Sequence, residues 1–317
     1  MDRFVLILIR LFFKSLNCLP LPWRIKTTEA LIKTAIRFSP RHSKVALANI
    51  RLAFPKESPE WHQNLYNNSF SSLARLIVDF GRLPEINKEW IEQNVDISYW
   101  PSFLELKRRN NGKGVLLVTG HLGSFELQAY ILSVLGHPIK FVVRNFKLPA
   151  VDKWWNAQRE RLGNKAIPRR GAFRQILASL RNGDDVALLF DQNVTRNFAV
   201  FIEWFGRPAA TTKAVALAAL RCQSPVVISA LLYKNSRYSL EAREIDLTGI
   251  YSNTTLSDQE KIMKITSILV KEYEDLIRLS PESWFWMHRR WKTTQSQDDE
   301  KQLYQASLAQ IAENQKG

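Results

Sequence analysis

The segment Thr119-Gly120-His121-Leu122-Gly123-Ser124-Phe125-Glu126 sets an imidazole and a carboxylate five positions apart, where an apolar run gives way to a helical pattern. Neutral imidazole, with an ordinary pKa near ~6.5, can take a proton at neutral pH. A carboxylate on one ring nitrogen fixes the tautomer and stabilises the imidazolium that forms. On one continuous helix, side chains five positions apart diverge by about 140° and cannot meet. They can meet if His121 lies in a strand-to-helix turn and Glu126 in the first helical turn. Gly120 and Gly123 supply the freedom such a turn needs, and Ser124 or Gly123 can cap the helix. No Gly-x-Ser-x-Gly occurs, so the pair suits activation of a substrate hydroxyl better than activation of an enzyme nucleophile. That chemistry is direct acyl transfer without an acyl-enzyme. The alternative is a buried, hydrogen-bonded histidine in a strand-end turn. His121, His137 and His288 are far apart and no zinc-type spacing occurs, so no metal is expected.

Positioning that turn requires a strand before it and a helix after it. Gly114–Thr119 reads as a short buried strand, and Ser124–Leu135 as a helix closed by Gly136, His137 and Pro138. Ile139–Val143 is a second strand, and Ala150–Leu162 a helix ended by Gly163. Gly171–Arg181 reads as helix, Asp185–Phe190 as strand, Thr211–Cys222 as helix and Pro225–Leu232 as strand. Tyr238–Ile245 alternates as an antiparallel strand would, and Ile262, Ile265, Leu269, Tyr273, Leu276 and Ile277 mark a further helix. Strands alternating with helices predict an α/β fold with a mainly parallel central sheet flanked by helices. Such sheets hold their sites at the C-terminal ends of strands. Residues 25–95 read as a helical N-terminal region, 96–292 as the α/β core, and 293–317 as a polar tail.

The 45 Lys and Arg against 30 Asp and Glu give a formal charge of +15. That excess favours anionic partners without choosing among nucleic acid, lipid or an acidic protein. Two cysteines exclude a disulfide scaffold. The apolar run from Phe4 is broken by Arg10 and Lys14 and ended by Pro20 and Pro22. It is short for a spanning helix and suits one lying in or tilted into a membrane interface, so residues 1–24 are expected to anchor the chain. A buried N-terminal core helix is the alternative.

His121-Leu122-Gly123-Ser124-Phe125-Glu126 resembles the His-x4-Glu motif of the late (lauroyl/myristoyl) acyltransferases of lipid A biosynthesis, within the lysophospholipid acyltransferase superfamily. Further blocks resemble that family in order: Trp155–Gly163, Asp191-Gln192-Asn193, Phe205–Thr212 and Ser283–Lys292. The resemblance implies transfer of a fatty acyl chain from acyl carrier protein to a hydroxyl of an acylated glucosamine disaccharide. It implies an anionic glycolipid acceptor, acyl-acyl carrier protein as co-substrate, no other cofactor, and a place on the cytoplasmic face of a bacterial inner membrane. It makes His121 the general base and Glu126 its orienter. Arg159 is expected to hold a substrate anion or polarise a carbonyl, with Arg161 as rival because the family spacing fits either. Asp191, at a strand end, is expected to orient a basic residue or the loop, and Gly123 and Ser124 to border the substrate.

Arg289 and Arg290 among tryptophans read as a headgroup-facing patch or a structural clamp, and His288 as a packed histidine. Phe201, Trp204 and Phe205 line an acyl groove or belong to the core. Two other functions stay open: the same fold acylating another lipid (a lysophospholipid, aminolipid or mannosylated lipid), and a basic protein that binds nucleic acid. The basic residues are scattered and show no recognition motif, which weighs against nucleic acid.

Overall fold

The computed structural model describes residues 1–294. Five helices come first: α1 (Asp2–Asn17), α2 (Leu21–Arg37), α3 (Pro40–Ala53), α4 (Pro59–Gly81) and α5 (Lys88–Asn94). Proline opens α3 and α4, where its missing N–H costs nothing, and Ser58 accepts from the Trp61 N–H to cap α4. Then follow β1 (Val95–Asp96), α6 (Trp100–Arg109), β2 (Leu116–Thr119), α7 (Phe125–Val134), β3 (Lys140–Val143), α8 (Pro149–Arg159), β4 (Lys165–Pro168), α9 (Ala172–Arg181) and β5 (Val186–Leu189). The chain continues through β6 (Ala199–Trp204), β7 (Arg207–Thr212), α10 (Ala214–Cys222), β8 (Val226–Lys234), β9 (Arg237–Ile245), α11 (Thr248–Tyr251) and α12 (Asp258–Leu279). All but the first two residues of the expected tail 293–317 lie outside the described residues.

Seven strands form one sheet in the order β1-β9-β8-β2-β5-β3-β4, with every pairing parallel except β8 with β9. β2 is central, and its four residues are all buried. Leu116 and Val118 pack into the cluster that α9, α10 and α12 cover. Leu117 faces the opposite way, against Leu132 of α7 and Phe103 of α6. This is why β2 reads as a continuous apolar run: a strand covered on both faces has no polar side to alternate with.

The hairpin β6–β7 was not legible as two strands, because its second half, Arg207–Thr212, reads as the approach to a helix. Its turn, Phe205-Gly206, has positive φ at both residues, 51° and 72°. That is the geometry of a two-residue hairpin turn. Phenylalanine accepts it because the Phe205 N–H donates to Glu274 Oε1 at 2.6 Å and its ring is buried. Trp204, likewise buried, stacks on Trp284 with ring centroids 5.8 Å apart. Trp204 and Phe205 are therefore core and line no groove. Helix α12 begins with a capping box, Ser257 with Glu260, and all six of its sequence-marked apolar residues are buried.

No helix among the described residues is long and apolar enough to cross a membrane. α1 is amphipathic. Phe13 and Leu16 are buried, while Phe4, Ile7, Leu8 and Leu11 are each at least half exposed. The inner face docks on α8: Asp2 Oδ2 accepts from the Ala150 N–H at 2.8 Å, and the Phe13 ring lies 5.9 Å from Trp154.

Candidate active site

β2 and β5 are parallel neighbours with Thr119 opposite Leu189. Two residues beyond that last pair lie His121 on one strand and Asp191 on the other. Both stand at the C-terminal edge of the sheet, where an α/β fold gathers its sites, His121 partly exposed and Asp191 buried. Gly120 allows the approach: a Cβ there would stand 2.5 Å from the Asp191 Cγ and 2.5 Å from the Tyr273 hydroxyl. Gly123 has φ +62°, and a Cβ on it would strike the Leu231 carbonyl oxygen.

His121 Nδ1 lies 2.8 Å from Asp191 Oδ1. The same carboxylate accepts from the His121 backbone N–H at 2.8 Å and from Trp284 Nε1 at 2.8 Å. With a carboxylate as partner, Nδ1 carries the proton and Nε2 holds the lone pair. The Gln192 amide nitrogen sits 3.2 Å from Nε2 and donates to it. Phe125 packs edge-on against the ring, at 5.2 Å between centroids. The carboxylate on the ring is thus Asp191 and not Glu126.

Burial alone would depress the His121 pKa. The Asp191 charge and hydrogen bond, with a smaller contribution from Glu126, outweigh it and hold the imidazole above its ordinary value. For Asp191, burial pushes upward. The His121 charge and hydrogen bond, then Trp284 and the His121 N–H, overcome that and keep the carboxyl below the usual range.

Glu126, in the first turn of α7, faces α8 instead. Its carboxylate takes a two-point contact from Arg159, Nε to Oε2 at 2.9 Å and Nη2 to Oε1. Arg159 Nη1 also donates to Asn156 Oδ1 at 3.3 Å. The fork of a guanidinium matches a carboxylate in this way, so Glu126 fixes Arg159 at the site. Arg161 stands beyond the end of α8 and is exposed. Ser124 is buried, and its hydroxyl donates to Asp79 Oδ2 at 2.5 Å, so it supports the turn from beneath instead of bordering substrate. Asp79 also accepts from the Tyr238 hydroxyl at 2.6 Å.

His121, Glu126 and Arg159 line one cavity of about 250 Å³ between the sheet and α7. Its walls are Thr119, Phe125, Phe141, Val143 and Leu189. Exposed Arg144 and Phe146 stand at one end, and buried Leu132, Ile139 and Ala187 at the other. An imidazole whose Nε2 accepts from the Gln192 amide, at 3.2 Å, therefore sits at the rim of an apolar slot. Among the described residues no group of three or more His, Cys, Asp and Glu could hold a metal.

The C-terminal segment closes the site from the other side. The Phe285 N–H donates to the His121 carbonyl at 3.0 Å. His288 Nε2 accepts from the Asn193 N–H at 2.9 Å, and burial lowers its pKa to about 4, so it stays neutral and packed. Arg290 is buried, donates to the Ala210 carbonyl at 2.8 Å and lies over Trp204. It clamps this segment to the β6–β7 hairpin and does not face a headgroup. Gln192 and Trp284 both lie in motif blocks visible in the sequence; Gln192 joins the site through the strand order that sets β5 beside β2, and Trp284 through the packing of the C-terminal segment.

The mainly parallel α/β sheet thus carries a carboxylate-paired histidine at its central strand end, beside an apolar cavity, where such sheets hold their ligand sites. The chain belongs to the bacterial lipid A biosynthesis acyltransferase family, whose model matches residues 2–293, and it is an acyltransferase. It is 24% identical to a lipid A biosynthesis palmitoleoyltransferase of Escherichia coli K12 over 81% of this chain and 80% of that protein. It is 24% identical to a lipid A biosynthesis myristoyltransferase of the same organism, over 78% of this chain and 74% of the other. A lipid A biosynthesis acyltransferase of Haemophilus influenzae is 25% identical over 89% of this chain and 88% of its own.

Proposed function

We propose that the chain moves a fatty acyl group from an acyl carrier protein thioester to a hydroxyl of a lipid A precursor. The observation that carries this is the His121 Nε2 lone pair at the rim of the apolar cavity, with Nδ1 held by Asp191. The acyl chain lies along Phe141, Val143 and Leu189. Nε2 removes the acceptor hydroxyl proton as its oxygen bonds to the thioester carbonyl carbon. The tetrahedral intermediate collapses by breaking the carbon–sulfur bond, and the thiolate takes the proton back from the imidazolium. No acyl-enzyme forms. Arg159, aligned by Glu126, keeps N–H groups for the oxyanion or for a phosphate of the acceptor.

The donor and the acceptor are both anionic, and the +15 chain attracts both. Arg144, which lines the cavity, is exposed, as are Lys147 and Lys153 further along the chain. Membrane association rests on the outer stripe of α1, and the setting follows from the acceptor: the cytoplasmic face of an inner membrane. Family membership leaves a nucleic-acid partner without support.

The test is the mass of a purified lipid A precursor after incubation with the full chain in nanodiscs and acyl-acyl carrier protein. Addition of one acyl group by the wild type, lost in His121→Ala, is expected. Acylation of a lysophospholipid and not of the lipid A precursor would move the reading to another acceptor. Undiminished transfer by His121→Ala would end it.

A further inference from the structure

The site cavity stops short of a second one. That second cavity, about 20 Å³, lies on the same face of the sheet, on the far side of β2 under α6. Trp100, Phe103, Val227 and Ala242 give it an almost wholly apolar lining. Three residues line both cavities: Leu117 of β2, and Gln128 and Leu132, one turn apart on α7. They are the wall between the two.

The wall has a fixed part and a removable part. Gln128 is tied across the gap, its Nε2 donating to Ser229 Oγ of β8 at 2.7 Å. Leu117 belongs to the central strand. Leu132 is held by packing alone, and its side chain is all that fills its place. On the near side Ala187 pairs in register with Leu117, so both point onto the same face of the sheet. Its small side chain leaves the deep end of the first cavity open.

We infer that Leu132 and Gln128 end the acyl-binding slot and set the chain length it accepts, and that the second cavity is an occluded extension able to take the last carbons of a longer acyl chain. The inference rests on the acyl-transfer reading above. An alkyl chain is the occupant because the extension continues the slot and offers apolar atoms almost throughout. Each methylene that finds or loses such a place changes discrimination about tenfold or more.

The experiment measures transfer rates from a series of acyl carrier protein thioesters, decanoyl to stearoyl, by wild type, Leu132→Ala and Ala187→Leu. Folding is checked by thermal melting, and Leu132→Val replaces the alanine variant should that one not fold. Leu132→Ala is expected to raise the rate with the next longer donor, relative to the wild type's preferred donor, by about tenfold. Ala187→Leu is expected to shift the same ratio about tenfold toward shorter donors. Folded variants with the wild-type chain-length profile overturn the wall assignment. A wild type that transfers none of the donors overturns the acyl-transfer reading instead, so the two failures are distinct.

Discussion

Two carboxylates act on His121 at different range. Asp191 touches the ring, and Glu126 reaches it only through its charge while it grips Arg159. In the proposed mechanism His121 must be neutral to act as the base, so activity is expected to fall as pH drops through its pKa, which is held above the ordinary ~6.5. Asp191→Asn removes the main influence raising that pKa and leaves burial, which lowers it. The acid limb of kcat/KM is expected to move to lower pH, and kcat to fall about 10²- to 10⁴-fold, because the imidazole loses its anchor. Glu126→Gln should move that limb less and act through Arg159. Arg159→Lys should resemble it, since an ammonium cannot reproduce the two-point contact. A pH–rate profile of the three variants separates these effects. An acid limb moved further by Glu126→Gln than by Asp191→Asn contradicts the assignment. At Gly120, alanine would press its methyl group into Asp191 and Tyr273. The expected cost is about 1–3 kcal/mol in urea denaturation, with a larger loss of activity because the carboxylate is displaced.

The turn that carries His121 is held by elements distant in sequence. Asp79 of α4, buried and raised in pKa chiefly by that burial, joins Ser124 at the start of α7 to Tyr238 of β9. Asp79→Ala leaves two buried hydroxyls without their acceptor, and a cost of about 3 kcal/mol is expected. Asn at this position keeps one acceptor oxygen, so Asp79→Asn should lose less. Thermal unfolding of the two variants orders them, and equal losses would contradict the shared-acceptor account. The C-terminal segment is a second such support. Trp284 holds Asp191, Arg290 holds the hairpin, and Asn49 of α3 donates to the Trp286 carbonyl at 2.7 Å.

For the molecule as a whole, the question is how a chain with no spanning helix among its described residues meets a lipid substrate. α1, at sixteen residues, is about 24 Å long against a hydrocarbon core of about 30 Å. Its exposed stripe of Phe4, Ile7, Leu8 and Leu11 suits a helix lying in the interface, and Trp23 of α2 is also exposed. The buried face of α1 packs on α8, the helix that also carries Arg159 at its C-terminal end. The double variant Ile7→Glu, Leu11→Glu is expected to lose most binding to anionic vesicles in flotation, while high salt alone releases the wild type only in part. Full release of the wild type by salt would show that charge alone holds it.

The residue types and their order determined much of this by themselves. Doubly buried strands show as unbroken apolar runs, amphipathic helices as periodic ones, and the turn at His121 as a glycine-flanked imidazole after a strand. Partnership was beyond reach. Glu126 is near His121 in sequence and Asp191 is seventy positions away, yet strand order puts β5 beside β2 and delivers Asp191 to the ring. Helix direction turns Glu126 toward α8. Local pattern encodes what a segment becomes. Which carboxylate meets which base depends on how the sheet is assembled, and only the packing of the whole chain fixes that.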